Sequence, residues 1–302
     1  MIHSIINRFI ISLAQLLPLS FVRMFAGRYV AGESSHEALK IVRELNEKGY
    51  SVTLDILGEH SKNKFDAQSV TGDYADLYEY IFNQKLDCNI SIKPTHIGLD
   101  IGEDFSRKNL FSLLSKAQET NNFLRIDMES SKDTDATLKL YNECKKQYNE
   151  VGTVLQAYLF RSKNDLKMIS ANSSCNFRLC KGIYSESSEI AIHNREEINS
   201  NFLKLLRYAL ENKIYVGIAT HDLELLKKTY EIIDELKIPK VKFEFQVLYG
   251  VPMSGWLEKH IDNGYKVRVY VPFGREWYAY SIRRLKENPD IAGYILKDLF
   301  RK

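Results

Sequence analysis

The sequence predicts an α/β protein built as a (β/α)8 barrel of TIM type, distorted and preceded by an N-terminal helical extension. Three observations carry this prediction. Eight short, apolar, β-branched runs begin at Val52, Cys88, Phe123, Val151, Asn176, Tyr215, Val241 and Tyr265. Amphipathic stretches separate them, so each interval holds a strand, a helix and two short loops. That is the repeat of parallel strands joined by right-handed crossovers, and eight units over about 250 residues close a barrel. Neither GxGxxG nor GxxxxGK[ST] occurs in the chain, whereas a doubly wound sheet usually carries a glycine fingerprint after its first strand. Residues 1–50 form the expected extension and 51–302 the barrel, with no linker between further domains.

The first element is an apolar stripe of Ile2, Ile5, Ile6, Phe9, Ile10, Leu13, Leu16 and Leu17, in steps of three and four. Arg8 interrupts it and Pro18 ends it, so it reads neither as a signal peptide nor as a transmembrane helix. It predicts a helix docked on protein, with a membrane-surface helix as the second reading. Next, Ser34-x-x-Glu37 is a capping box ahead of Ala38, Ile41, Val42 and Leu45, and Gly49 closes that helix. The strands follow as VTLDILGE, CNISIKPT, FLRIDMES, VGTVLQAY, NFRLCKGIY, YVGIATHD, VKFEFQVLY and YKVRVYVPFG, with Gly264 at the helix end before the last.

Composition narrows the function. Lys and Arg number 42 against 39 Asp and Glu, a net charge of +3 that is too small to argue for a nucleic-acid partner. Hydrophobic residues make up 44%, which excludes intrinsic disorder. Cys88, Cys144, Cys175 and Cys180 form no CxxC and no metal-ligand spacing, so the simplest compartment is reducing and cytoplasmic, with peripheral contact on the inner membrane face as the second reading. No metal is expected.

Barrel sites sit at the C-terminal ends of strands. In order, the first run ends in Glu59, the second carries Lys93, the third Asp127 and Glu129, and the fourth Gln156. The fifth opens with Arg178 and leaves through Lys181 and Tyr184, the sixth ends Thr220-His221-Asp222, the seventh contains Glu244 and Gln246, and the eighth holds Tyr270 before Pro272-Phe273-Gly274. Charged side chains are rarely buried unless paired, so Lys93, Asp127 and Arg178 need partners in the mouth. Any one of them taken alone reads first as a structural ion pair or a snorkelling side chain. Together they describe a polar cup of mixed charge, suited to a zwitterion or a charged cofactor.

The last helix, REWYAYSIRRLKENP, places Tyr280, Arg283, Arg284 and Glu287 on one face and Tyr278, Ile282 and Leu285 on the other. The second face suits packing on the barrel. The first is either a solvated charged face or a clamp, since guanidinium forks bind carboxylates bidentately.

The segment VYVPFGREWYAYSIRRLKENP, with ISIK, RIDME, FRLCKGIY, GIATHD and FEFQVLYG in that order along the chain, resembles the proline dehydrogenase (proline oxidase) family in its short, monofunctional bacterial form. The resemblance spans Val52 to Pro289. It implies FAD at the strand ends and oxidation of L-proline to Δ1-pyrroline-5-carboxylate, the first step of proline catabolism to glutamate. By the same resemblance, hydride is expected to pass to flavin N5 and the electrons to a membrane quinone. It further implies that Lys93, Arg283 and Arg284 hold the substrate carboxylate. Tyr270 and Tyr280 pack around the pyrrolidine ring beside Leu248, and Glu287 supports the clamp. Asp127 and Arg178 take the catalytic positions, Arg178 near the flavin N5. Met128, Gln156, Lys181, Gly182, Ile183, Thr220 and His221 complete the cofactor set. Two departures bear on affinity rather than on reaction class: Ser185 stands where many relatives have Trp, and Pro94 where many have a small or apolar residue.

Three rivals remain at this level. A metal-dependent hydrolase would use clustered His, but His-x-His never occurs. A catalytically silent barrel binding an amino acid or a membrane partner would explain the amphipathic N-terminus but not Lys93, Arg178, Arg283 and Arg284 together. A flavin barrel of the folate-reductase type is the nearest enzymatic alternative. Oligomeric state is not legible in the residues.

Overall fold

The computed structural model describes Arg23, residues 26–171 and 174–282, and the backbone of 283–287. The stripe from Ile2 to Leu17 lies outside the described residues. Eight parallel strands close a barrel in sequence order, the fold predicted above. They are β1 (Ser51–Ile56), β2 (Cys88–Ile92), β3 (Leu124–Ile126), β4 (Val151–Gln156), β5 (Asn176–Cys180), β6 (Tyr215–Ala219), β7 (Phe243–Leu248) and β8 (Val267–Phe273). Between them run the helices α2 (Lys64–Asn83), α3 (Glu103–Glu119), α4 (Thr134–Gln147), α5 (Ser162–Ser170), α6 (Arg195–Glu211), α7 (Leu223–Glu235) and α8 (Trp256–Asp262). The helix α1 (Ser35–Glu47) precedes β1, and α9 (Trp277–Glu287) follows β8.

Strand parity divides two environments. Outward residues such as Val52, Leu54, Ile90, Ile92, Phe177, Leu179, Val216, Ile218, Phe243, Phe245, Val267 and Val269 join the helices in one continuous apolar core. Burial of these side chains against the helix stripes drives the fold, each large one contributing about 1.5–3 kcal/mol. The inward positions are unusual. A TIM barrel is commonly filled by branched aliphatics, yet here Thr53, Asp55, Asn89, Arg125, Asp127, Arg178, Glu244, Gln246 and Arg268 are all buried. Bonds from β5 to β3 and from β5 to β7 join strands that are not neighbours, so they cross the interior.

The ring of helices departs from regularity at its seam. The capping box forms as predicted: the Ser34 hydroxyl accepts from the Glu37 amide and the Glu37 carboxylate accepts from the Ser34 amide. Gly49 has φ +82°, the left-handed turn that ends α1. α1 packs on β1 and β8, where the last helix of a regular barrel would lie. α9 instead buries Trp277 and Ile282 against Ala26, Tyr29, Val30 and Leu57. One expectation needs correcting. Tyr280, assigned to the face away from the packing face, is half-buried and packs on this same cluster, as Tyr278 does. The reason is Trp277, which anchors the helix three residues earlier and draws Tyr280 inward with it.

Candidate active site

Two ion pairs occupy the barrel mouth. Lys93, following β2, donates from Nζ to Asp55 Oδ2 of β1 at 2.6 Å, and the Asp55 side chain is only 2% exposed. Burial alone would lower the Lys93 ammonium. The Asp55 and Asp127 carboxylates outweigh burial and hold it above its ordinary value. Burial pushes Asp55 up, against the pull of Lys93. Tyr74 of α2 donates to the other Asp55 oxygen at 3.3 Å.

The second pair joins β5 to β3: Arg178 Nη1 donates to Asp127 Oδ1 at 2.6 Å. The Tyr270 hydroxyl of β8 donates to Asp127 Oδ2 at 3.1 Å, and the Arg178 guanidinium lies 4.9 Å from the Tyr270 ring centroid, within cation–π range. Burial, with the Asp127 charge beside it, raises the Tyr270 phenol well above its usual value, so it remains a donor. Arg178 Nε donates to Gln246 Oε1 of β7 at 2.6 Å. Thus Lys93, Asp127, Arg178 and Tyr270, four residues singled out in the sequence, are gathered around one opening.

A deeper polar layer supports them. Gln246 Nε2 donates to Glu244 Oε1 at 2.7 Å, and Arg268 Nε donates to the same oxygen at 2.8 Å. Burial would raise the Glu244 carboxyl, but Arg268 and then Lys266 override it and hold it down at about 2. Arg125 donates to the carbonyls of Thr153 and Asn176 and to the Asn176 side chain. With no carboxylate in that set, burial and then the Arg178 charge pull it down to about 9. Gly152 makes room for it, because a Cβ there would meet Arg125 Nη1 at 2.4 Å.

The rim from β3 to β6 holds the residues expected at a cofactor. Met128, Gln156 and Thr220 are buried. Gln156 Nε2 donates to the Glu129 carbonyl. Glu129 itself accepts from the amide and hydroxyl of Thr95, and burial raises its carboxyl to about 7 in spite of these bonds. Lys181 Nζ donates to Asp222 Oδ2 at 2.6 Å, shared with Arg195 at 3.1 Å. Burial alone would raise Asp222, but these two cations hold it well below the usual carboxylate range. Asp222 also caps α7. His221 Nε2 accepts from the Leu248 amide at 2.9 Å, which binds β6 to β7 at the lip. Gly182 has φ +112°, and a Cβ there would lie 2.1 Å from the Tyr158 ring. The neighbouring Ile183 is 52% exposed.

Arg283, Arg284 and Glu287 fall within α9, whose backbone alone is described there, so the carboxylate clamp lies outside the described side chains. Among the described residues, no group of three or more His, Cys, Asp or Glu could hold a metal ion, and no helix is long and apolar enough to cross a membrane.

Sequence reasoning missed Asp55, Thr95, Arg125 and Arg268. Asp55, Arg125 and Arg268 share one signal: a charged residue inside an apolar strand, at the same parity as an inward polar neighbour. Thr95 lies in a loop, and no signal in the sequence marks it.

The comparisons with known proteins agree among themselves. A family model described as proline dehydrogenase matches residues 38–295. Over 280 residues the chain is 36% identical to proline dehydrogenase 1 of Bacillus subtilis subsp. natto, covering 93% of this chain and 92% of that one. Over 282 residues it is 33% identical to the proline dehydrogenase of Deinococcus radiodurans, covering 91% and 90%. Among solved structures, the chain is similar to proline utilization A from Bdellovibrio bacteriovorus inactivated by N-propargylglycine. The TM-score is 0.82 at 26% identity, over 88% of this chain and 33% of that longer one.

Proposed function

The chain belongs to the proline dehydrogenase family, and from that premise we propose that it oxidises L-proline to Δ1-pyrroline-5-carboxylate with FAD as the oxidant and a membrane quinone as final acceptor. The observation that carries this reading is the convergence of Lys93–Asp55 and Arg178–Asp127–Tyr270 on one mouth. The residues of the rim suit a flavin by their donor chemistry. Arg178, Gln156, Lys181 and His221 offer hydrogen-bonding groups for a polar ring edge and an anionic chain. Ile183 offers an exposed apolar surface for a ring face, and Met128, Gly182 and Thr220 complete the set.

Lys93 takes the substrate carboxylate, together with Arg283 and Arg284 from α9, and Glu287 balances the clamp. Three cations around one carboxylate fix the ring in place, and such positioning supplies much of the rate. Tyr270 and Tyr280 flank the pyrrolidine ring, with Leu248 on the same wall. Asp127 accepts from both Arg178 and Tyr270, so it holds a cation and an aromatic wall in fixed relation. The substrate ammonium gives up one proton to solvent water, which frees the nitrogen lone pair for the C=N bond. The hydrogen on the adjacent ring carbon away from the carboxylate then leaves with its electron pair, forming the C=N bond. A bound flavin supplies the two-electron acceptor for that hydride. The protein acts in the cytoplasm, with peripheral contact at the inner membrane face where the quinone lies.

Steady-state turnover with an artificial electron acceptor tests the reading. L-Proline should reduce the dye and yield a cyclic imine, whereas D-proline and acyclic amino acids should not. FAD-loaded protein that gives no proline-dependent reduction would overturn it.

A further inference from the structure

Arg178 is held at two points. Asp127 takes Nη1 from one side, and Gln246 takes Nε from the opposite side of the barrel, each at 2.6 Å. A guanidinium fixed by one bond can pivot about it, but two bonds on different edges fix its plane. We propose that Gln246 is a positioning residue for Arg178, and that the buried chain Arg268–Glu244–Gln246 sets the direction in which that guanidinium faces the mouth. The proposal rests on the assignment of Arg178 to the cofactor side of the site.

The donor and acceptor pattern leaves one arrangement. Glu244 accepts from Arg268 Nε and Gln246 Nε2 through the same oxygen. Its carboxyl, held down at about 2, is ionised and can only accept. The Gln246 amide nitrogen must therefore face Glu244, which turns the amide oxygen toward Arg178. An amide that could flip would present N–H groups to a cation. Glu244 removes that freedom, and Arg268 compensates its charge. All four residues are buried, so water does not compete for these bonds.

β6 is shaped to let this chain pass. Gly217 lies between Arg178 and Glu244 in register. A Cβ at Gly217 would sit 2.3 Å from Gln246 Nε2, too close for any real contact. The glycine of GIATHD thus has a packing reason, as glycines inside strands commonly do where another group approaches closely.

The test has two arms. In the first, 15N NMR follows the arginine Nε–H signals of the protein, with the Arg178 signal identified by its loss in Arg178→Lys. The wild-type Nε–H should exchange slowly with solvent, and Gln246→Met should bring it into fast exchange. An Arg178 signal equally protected in Gln246→Met would overturn the tether. The second arm is a double-mutant cycle in proline turnover. Gln246→Met should lower kcat about tenfold or more and leave KM for L-proline within about twofold. In the Arg178→Lys background it should add nothing, because it acts only through Arg178. Additive losses would contradict the proposal.

If Gln246→Met does not fold, Glu244→Gln tests the chain one step back, because an acceptor that is no longer ionised leaves the Gln246 amide free to flip. The Arg178 Nε–H should then exchange faster than in the wild type, and equal protection in folded Glu244→Gln would contradict the proposal. The two ideas fail separately. A protected Nε–H in a protein inert toward proline sinks the proposed function alone, and additive losses in an active enzyme sink the tether alone.

Discussion

Replacing Asp55 by Asn is the sharpest single perturbation of the mouth. The substitution keeps shape and volume, removes one charge, and leaves Lys93 without the carboxylate that lies 2.6 Å away. Removing one partner of a buried pair costs about 3–5 kcal/mol, because the other charge remains uncompensated. The Lys93 side chain is 12% exposed, so it can recruit some water, and the lower figure of about 3 kcal/mol applies. At about 2 °C per kcal/mol for a chain of this size, the melting temperature should fall by about 6 °C. The pH dependence follows with a definite sign. In the wild type the Lys93 value is raised, so the pair's stabilisation is complete below the usual lysine range and is lost only as pH rises through the higher folded value. In Asp55→Asn the largest upward influence is gone while burial still lowers the ammonium. Lys93 should then lose its proton at lower pH, and kcat/KM should gain an alkaline limb absent from the wild type. Calorimetry and a pH profile of turnover measure both. A melting temperature within about 1 °C of wild type, with superposable profiles, would show that the pair behaves as a solvated surface contact and refute the reasoning.

Three other outcomes are expected. Glu129 is raised to about 7 from an ordinary value of 4.5; the folded state therefore binds the extra proton between those values and stability should fall as pH rises through pH 4.5–7, by up to about 3 kcal/mol. Glu129→Gln should flatten that slope in thermal melts, and an unchanged slope would assign it elsewhere. Arg283→Met and Arg284→Met should each lower kcat/KM for L-proline at least about tenfold, the loss of one charge-assisted bond, and wild-type kinetics in both would remove the clamp. Deleting residues 1–17 should lower thermal stability or cause aggregation while full-length protein binds vesicles weakly; unchanged melting with lost vesicle binding would instead make that segment a membrane anchor.

The barrel was legible because its two signals are strong and independent. Apolar runs such as FEFQVL and VRVYVPF need burial on their outer face, and helix stripes between them supply it. The ends of runs were less legible. β3 keeps only Leu124–Ile126 as strand, and a short 3-10 turn at Lys240–Lys242 precedes β7, because hydrophobicity does not mark where ladder bonds stop. In the site, Lys93 and Asp127 stand out because each directly follows its strand, whereas Arg178 and Tyr270 lie within β5 and β8 and stand out as polar residues in apolar runs. Asp55 was missed because a single acid within VTLDIL reads as an exception to an apolar strand. Its parity, shared with Thr53, marks it as inward, but its partner Lys93, just after the next strand, is visible only in the closed barrel. Gly217 was equally mute, since its role lies in the Gln246 amide from the next strand.

The most direct measurement is an anaerobic titration of the FAD-loaded protein with L-proline, followed by flavin absorbance. The account predicts a flavin spectrum that bleaches on proline addition, with one cyclic imine formed per flavin reduced. A protein that takes up no flavin, or whose flavin stays oxidised in excess proline, would contradict it.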